Sequence, residues 1–175
     1  MDTFECIATK LDVREFTKDD VSPDVKSKVL EAARLTGSGM NVQHWRLILV
    51  QERDRLRKLA QDSTSGRWVG DCNFAIIVLT DPQYGFHLID AGRAVQDMQL
   101  AAWNSGVASG IFTGLDLENF RKDFGIPKEM DPSVIVGFGF PKRKITGRKK
   151  RNPLSEIAFV EKYGNQFEPG KLIKN

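Results

Sequence analysis

The apolar run FAIIVLT, at residues 74–80, restricts the fold of this chain more than any other feature of the sequence. Its seven residues are too few for a buried helix and indicate a strand that is buried on both faces. RLILV (46–50) indicates a second buried strand. VASGIF (107–112) and SVIVGFGF (133–140) indicate two more, so we expect a sheet in the core.

Helical patterns alternate with these strands and indicate a fold of mixed helix and strand. SPDVKSKVLEAARLTG supplies Ser22 as an N-cap and Pro23 at the first helical position. ERDRLRKLAQ (52–61) indicates a surface helix whose leucines face inward. DLENFRKDFG indicates a short helix that is capped by Asp116 and stopped by Gly125.

The longest predicted helix is LIDAGRAVQDMQLAAWNSG, at residues 88–106. One stripe at helical spacing consists of Leu88, Gly92, Val95, Met98 and Ala102. Further alanines lie beside this stripe, and small side chains allow close approach. We therefore expect this central helix to pack on more than one side.

Composition indicates one soluble globular domain. The chain has 175 residues, of which 41% are hydrophobic and 28% charged. No apolar run approaches the roughly 18 residues of a membrane span, and the N-terminus is charged where a signal peptide is apolar, so we expect a cytoplasmic protein. Cys6 and Cys72 lack CxxC spacing or a histidine cluster, which favours two buried thiols over a metal site or disulfide.

Positive charge is concentrated in KRKITGRKKR, at residues 142–151. This run holds seven cationic residues and no acidic one, and without it the net charge of +3 becomes −4. A solvated surface, a site for a phosphate-bearing ligand and a nucleic-acid contact all remain open as interpretations.

Several common enzyme classes lack their main motif here. The sequence contains no GxGxxG after a strand, no GxxxxGK[ST], no GxSxG and no HExxH. His44 and His87 have no cysteine or carboxylate nearby at triad-like spacing, so a histidine-based catalyst is not predicted.

TGSGMNVQHW, at residues 36–45, connects the first long helix to the strand RLILV. Its glycines let the backbone turn tightly, and its serine, asparagine and glutamine can bond to a flat polar ligand. The same residue types also make ordinary loops. Composition alone leaves both interpretations open.

Four segments, spread over nearly the whole chain, carry a family resemblance. They are KLDVREF (10–16), ARLTGSGMNVQHWRLILV (33–50), IFTGLD (111–116) and GRKKRNPLSEI (147–157). Together, and in this order, they resemble the FMN-dependent nitroreductase family. Within the second segment, Asn41, Gln43 and Trp45 match the family spacing of Asn, Gln and Trp after a small-residue turn.

The resemblance implies an α+β, nitroreductase-like fold with a central mixed sheet of about four to five strands flanked by helices. A single FMN-binding domain would cover residues 1–175, with a basic C-terminal segment at 142–175. It also implies an intertwined homodimer with FMN at the subunit interface, and the alanine-rich central helix suits such an interface. Small-molecule acceptors are the implied partners, without nucleic acid, membrane or metal.

The resemblance also implies which residues contact the flavin. They are Lys10, Asp12, Arg14, Ser38, Asn41, Gln43, Arg67, Thr113, Gly114, Lys149 and Arg151. Lys10, Lys149 and Arg151 match positions around the FMN phosphate, whereas Ser38 and Asn41 match a turn that reaches a flavin held mainly by the partner.

Arg14 and Gly114 match the two positions that would tune the flavin. A fixed cation at Arg14 would stabilise negative charge near N1 and C2=O of the reduced ring, although an ion pair with Asp12 or Glu15 is an alternative. Gly114 would present its backbone N–H to flavin N5, although a simple turn glycine is an alternative. Asp12 departs from the family, which often has serine there. A carboxylate at this position would repel the phosphate unless Lys10 or Arg14 neutralises it.

The implied function is ping-pong hydride transfer from NADH or NADPH, through FMN, to a nitroaromatic, quinone or related acceptor. No side-chain acid or base is required for this chemistry. A non-redox relative that binds flavin for transport or sensing is the alternative, because fold does not fix function. A nucleic-acid-binding module is weaker, since the basic run lacks interleaved aromatic residues.

Overall fold

A four-stranded sheet forms the centre of the computed structural model, which describes residues 1–145 and 149–168. The strands are β1 (Arg46–Val50), β2 (Phe74–Thr80), β3 (Ala108–Phe112) and β4 (Asp131–Gly139). Their order is β1-β2-β4-β3, and every neighbouring pair is antiparallel. The predicted strands are confirmed to within two residues at each end.

The prediction of a mixed sheet requires a correction within the described residues. All four strands pair antiparallel, and the parallel component is a single isolated bridge between Asp12 and Ser109. This bridge arises because the segment after the first helix runs beside β3 without forming a strand of its own.

Six helices surround the sheet in the described part of the chain. They are α1 (Thr3–Thr9), α2 (Pro23–Leu35), α3 (Arg53–Gln61), α4 (His87–Asn104), α5 (Leu117–Phe124) and α6 (Leu154–Ile157). The predicted caps are confirmed: the side chains of Ser22 and Asp116 accept backbone N–H bonds, and Gly125 ends α5 with a left-handed φ of 65°. The sequence analysis did not predict α1 or α6.

Strand β2 divides the core into two layers because its side chains alternate between the faces of the sheet. Phe74, Ile76 and Val78 pack with α2 and α4 on one face. Ala75 and Ile77 pack on the other face with residues from α3 and α5. All seven β2 residues are buried, as the apolar run predicted. Cys6 and Cys72 are also buried and free of disulfides.

Helix α4 packs against both α2 and the sheet. Ala91, Ala94 and Ala102 are buried within the protomer, so the alanine-rich face belongs to the core of the protomer. Leu88 and Gly92, which were predicted on the packed stripe, are exposed because they lie at the edge of the inward face. Among the described residues, no helix combines the length and the apolar character needed to cross a bilayer.

Candidate active site

A polar network forms a corner where the chain leaves α1, and we call Lys10, Asp12, Gln99 and Ser109 the anion corner. Lys10, Gln99 and Ser109 are buried, whereas Asp12 is exposed. Lys10 Nζ donates to Asp12 Oδ1 at 2.5 Å and to Gln99 Oε1 at 2.9 Å. Gln99, in α4, donates from Nε2 to Asp12 Oδ1 at 3.2 Å and to Ser109 Oγ at 3.0 Å. Lys10 therefore neutralises the Asp12 carboxylate that departs from the family motif.

The basic C-terminal segment lies against the anion corner. Lys149 Nζ donates to the backbone carbonyl of Ile7 in α1. Burial lowers the pKa of Lys149, and the neighbouring positive charges of Arg151 and Lys10 lower it further, while Asp12 acts in the opposite direction. The fold thus brings the three cations predicted around a phosphate close to one another. Gly147 and Arg148, at the start of the predicted motif, lie outside the described residues.

Arg14 faces an open cavity of about 510 Å³ that also borders Asp12, Arg143 and Lys144. Its side chain is exposed and makes no ion pair among residues 1–145 and 149–168. The alternative ion pairs predicted for it are taken by other cations, since Asp12 pairs with Lys10 and Glu15 pairs with Arg143 at 3.7 Å. Arg14 is therefore free to contact a ligand.

The segment Thr36–Trp45, which we call the polar turn, has an unusual backbone. Met40, Asn41 and Gln43 have φ angles of 50°, 57° and 50°, in the left-handed region that non-glycine residues rarely adopt. Ser38 Oγ accepts from the Gln43 N–H at 3.0 Å, and Gln43 Nε2 donates to Asn41 Oδ1 at 3.3 Å. The three predicted residues of this turn therefore contact one another.

Residues of α4 that the sequence analysis missed hold the polar turn. Asp90 accepts from the Gly39 N–H at 3.0 Å and lies 3.2 Å from His44 Nε2. Asp97 accepts from Thr36 Oγ1 at 2.7 Å. Sequence spacing showed no carboxylate beside His44, and the fold supplies Asp90 from 46 positions away. The sequence signal that could have identified Asp90 is a charged residue on the apolar side of an amphipathic helix.

Gly114 packs against the loop that follows α3. It accepts a backbone bond from Thr64 at 3.0 Å, and a Cβ at this glycine would lie 2.5 Å from Ser65 Oγ. A larger residue at this position would therefore have to displace the hydroxyl side chains of Thr64 and Ser65. Within the described residues, the Gly114 N–H donates to no protein acceptor and is available to a ligand. Thr113, beside it, is exposed.

Arg67 stands apart from the other predicted site residues. It lies in a 3₁₀ turn (Arg67–Asp71) and lines a separate cavity of about 370 Å³ with Ala60 and Gln61. None of its described contacts joins it to the anion corner or to the polar turn. Its role as a flavin contact stays a prediction.

The anion corner and the polar turn contact α4 at different positions along the helix axis. Asp90 and Gln99 are nine positions apart, which corresponds to about 14 Å along the helix. No described hydrogen bond or ion pair of one protomer connects Asn41 to Lys10. Each protomer therefore presents two separate parts of the predicted site.

The model of the Nitroreductase family matches residues 7–71 and 64–140 of this chain. Together these ranges span well over half of the sequence and contain both the polar turn and the whole anion corner. The chain belongs to the nitroreductase family.

Relatives of this nitroreductase-family chain agree with that assignment. A protein of Methanothermobacter thermautotrophicus, provisionally named NADH dehydrogenase/NAD(P)H nitroreductase, is 30% identical over 150 residues, which are 81% of this chain and 78% of that protein. A protein of Archaeoglobus fulgidus with the same provisional name is 29% identical over 145 residues, covering 78% of this chain and 83% of its own length.

Solved structures confirm the predicted nitroreductase-like α+β fold. A nitroreductase family protein from Clostridium difficile, 27% identical, has a TM-score of 0.83 and covers 93% of this chain and 99% of its own. A second Clostridium difficile protein, described as an FMN-dependent nitroreductase, is 20% identical, has a TM-score of 0.79 and covers 94% of this chain and 100% of its own.

Proposed function

We propose that this chain is an FMN-dependent oxidoreductase that takes electrons from NADH or NADPH and passes them to a nitroaromatic, quinone or related acceptor in a ping-pong cycle. The observation that carries the proposal is the assembly of Lys10, Lys149 and Arg151 beside one corner of a nitroreductase-family fold. A cytoplasmic location and a single domain over residues 1–175 are parts of the same proposal.

The chemistry of the described residues fits an FMN at this site. Lys149 and Arg151 would hold the phosphate, because Arg151 can grip two oxygens and both cations keep unused donors. Lys10 already bonds Asp12 and Gln99, so it would add positive charge more than new hydrogen bonds. Arg14, which has no ion pair among the described residues, would lie near the ring, and the Gly114 N–H would meet its edge.

The protein supplies binding and electrostatics, while bound FMN supplies the hydride chemistry. Arg14 would stabilise negative charge that develops on the ring, because its guanidinium is a permanent cation at the cavity that would receive the flavin. Ser38 and Asn41 would fix the edge of the ring through directed hydrogen bonds. No histidine, cysteine or carboxylate is assigned a proton-transfer step.

A homodimer would join the two parts of the site that one protomer keeps separate. Large apolar side chains are exposed near the polar turn and on the outer face of α4, as a protein interface requires. The exposed side chains of this surface are Leu35 at 67%, Met40 at 80%, Leu88 at 58% and Ile89 at 66%. A two-fold contact through this surface would bring the polar turn of one protomer to a flavin held by the other.

The function is tested by anaerobic reduction of the purified protein loaded with FMN. A yellow protein that bleaches with NADH or NADPH, and recovers its colour on addition of a quinone or nitroaromatic, supports the enzyme. A yellow protein that does not bleach with either donor supports the non-redox alternative. A chain that binds no FMN contradicts both, and a stable monomer holding FMN in sedimentation experiments contradicts the dimeric site.

A further inference from the structure

The backbone of the polar turn needs an external support. Three of its non-glycine residues, Met40, Asn41 and Gln43, occupy the left-handed region. Such conformations cost free energy and persist only where the surrounding structure fixes them. Met40 is 80% exposed, so packing of its side chain in the protomer does not provide that support.

Helix α4 provides the support through one stripe of its surface. Asp90, Arg93 and Asp97 are spaced by three and four positions, so they lie on the same side of the helix. The chain approaches this stripe closely at its glycines. A Cβ at Gly37 would lie 2.4 Å from an Arg93 nitrogen, and one at Gly39 would lie 2.6 Å from the ring of Phe86.

Asp90 makes the two bonds that enclose the strained residues. Its Oδ2 accepts from the Gly39 N–H at 3.0 Å and from His44 Nε2 at 3.2 Å. His44 Nδ1 accepts from the Asp81 N–H at 3.4 Å, which leaves the ring proton on Nε2 as the donor to Asp90. The other carboxylate oxygen, Oδ1, faces Arg93 at 3.5 Å.

This carboxylate is almost completely removed from solvent. Asp90 is 1% exposed and His44 is 6% exposed. A buried carboxylate is costly unless it is paired and hydrogen-bonded, and Asp90 meets that condition with its two bonds to the turn and its contact with Arg93. Residues 40–43 lie between the two bonded positions, so one buried oxygen fixes both ends of the strained segment.

We propose that Asp90 is a positioning residue for the flavin ring. It acts through Gly39 and His44 to hold Ser38 and Asn41 in the geometry that meets the ring edge, and it contributes nothing to phosphate binding. This inference rests on the proposed function. It predicts that loss of Asp90 lowers the binding affinities for riboflavin and FMN by the same factor, because the two ligands share the ring and differ only in the phosphate.

The test is titration of the apoprotein with riboflavin and with FMN, followed by flavin fluorescence. Asp90→Ala should weaken both ligands by about tenfold or more, since two bonds to a charged acceptor are lost, and the ratio of FMN to riboflavin affinity should not change. Asp90→Asn should stay within about threefold of wild type, because one amide oxygen can replace Oδ2. The visible circular dichroism of the saturated flavin should change in Asp90→Ala and recover in Asp90→Asn.

The matched control is Asp97→Ala, which removes a carboxylate from the same stripe but outside the enclosed segment. Equal losses in Asp97→Ala and Asp90→Ala would overturn the proposal, as would unchanged affinity in a folded Asp90→Ala protein. If Asp90→Ala does not fold, Gly39→Ala decides the question, because its Cβ would displace the turn from the ring of Phe86 while the bond between His44 and Asp90 keeps both of its partners. Unchanged riboflavin affinity in Gly39→Ala would also overturn it. A wild-type chain that binds neither flavin would reject the proposed function itself.

Discussion

The anion corner and the polar turn both rest on α4, but they use their polar groups in different ways. In the anion corner, Lys10, Asp12 and Gln99 bond one another through side chains. In the polar turn, the backbone itself is bonded to the buried carboxylate of Asp90 and adopts left-handed angles. Charge in the corner can therefore be changed without moving the chain, whereas the polar contacts of the turn fix the path of its backbone.

The largest expected effect comes from removing the two cations of the basic segment that are predicted to hold the phosphate. Replacing Lys149 and Arg151 together with alanine should weaken FMN by about 2 to 4 kcal/mol, because charged hydrogen bonds contribute about 1.5 to 3 kcal/mol each and are not additive. Riboflavin affinity should barely change. Calorimetric titration with both flavins checks the prediction, and Lys150→Ala, which removes an exposed neighbouring charge, is the control. Equal losses for both flavins would place these cations away from the phosphate.

The next effect concerns Arg14, which borders the cavity beside the corner and has no ion pair in the part of the chain that the structure describes. Arg14→Ala should lower the potential of bound FMN by about 20 to 45 mV, since about 1 to 2 kcal/mol of stabilisation of the reduced ring would be lost. Dye-equilibration titrations measure this change. Arg143→Ala is the matched control, because its cation borders the same cavity but pairs with Glu15. An unchanged or raised potential in Arg14→Ala would remove Arg14 from the flavin site.

A smaller effect of opposite sign is expected at Asp12. Its side chain is 51% exposed, so solvent screens its interaction with a nearby phosphate. Asp12→Ser should strengthen FMN binding by about 0.5 to 1 kcal/mol and leave riboflavin binding unchanged, because it removes the repulsion between the carboxylate and the phosphate and frees Lys10. Raising the ionic strength should reduce the gain. Weaker FMN binding in this variant would show that the Asp12 contact is needed to orient Lys10.

The smallest effect is a pH dependence at Lys149. An ordinary lysine has a pKa of about 10.4. Burial and the nearby cations lower the pKa of Lys149, so this residue loses its proton at a lower pH than an ordinary lysine does. Only the protonated form attracts phosphate, and binding should therefore be accompanied by proton uptake as the pH approaches the lowered pKa. The advantage of FMN over riboflavin should decline with rising pH in wild type. Lys149→Arg should flatten this profile, since arginine stays charged.

The sequence predicted the two regions unequally. The strand FAIIVLT, the Ser22 cap and the stop at Gly125 depend on neighbouring residues, so periodicity and capping rules were sufficient. Asp90 and Gln99 act across 46 and 89 positions, on His44 and Lys10, and no local pattern encodes a contact at such separations. The resemblance supplied most of the predicted ligand-facing residues. The buried side chains that hold those residues could be identified only from the fold.

The contact between Lys149 and Ile7 also orders events during synthesis of the chain. It joins residues 142 positions apart, and ribosomes add about 5 to 20 residues per second, so α1 is made about 7 to 30 s before Lys149. A ligand whose affinity depends on both Lys10 and Lys149 cannot bind at full strength to a nascent chain. Under the proposed function, cofactor loading at this corner would be a late step of maturation, and a ribosome-bound intermediate that lacks residue 149 would lack a cation of the proposed anion site.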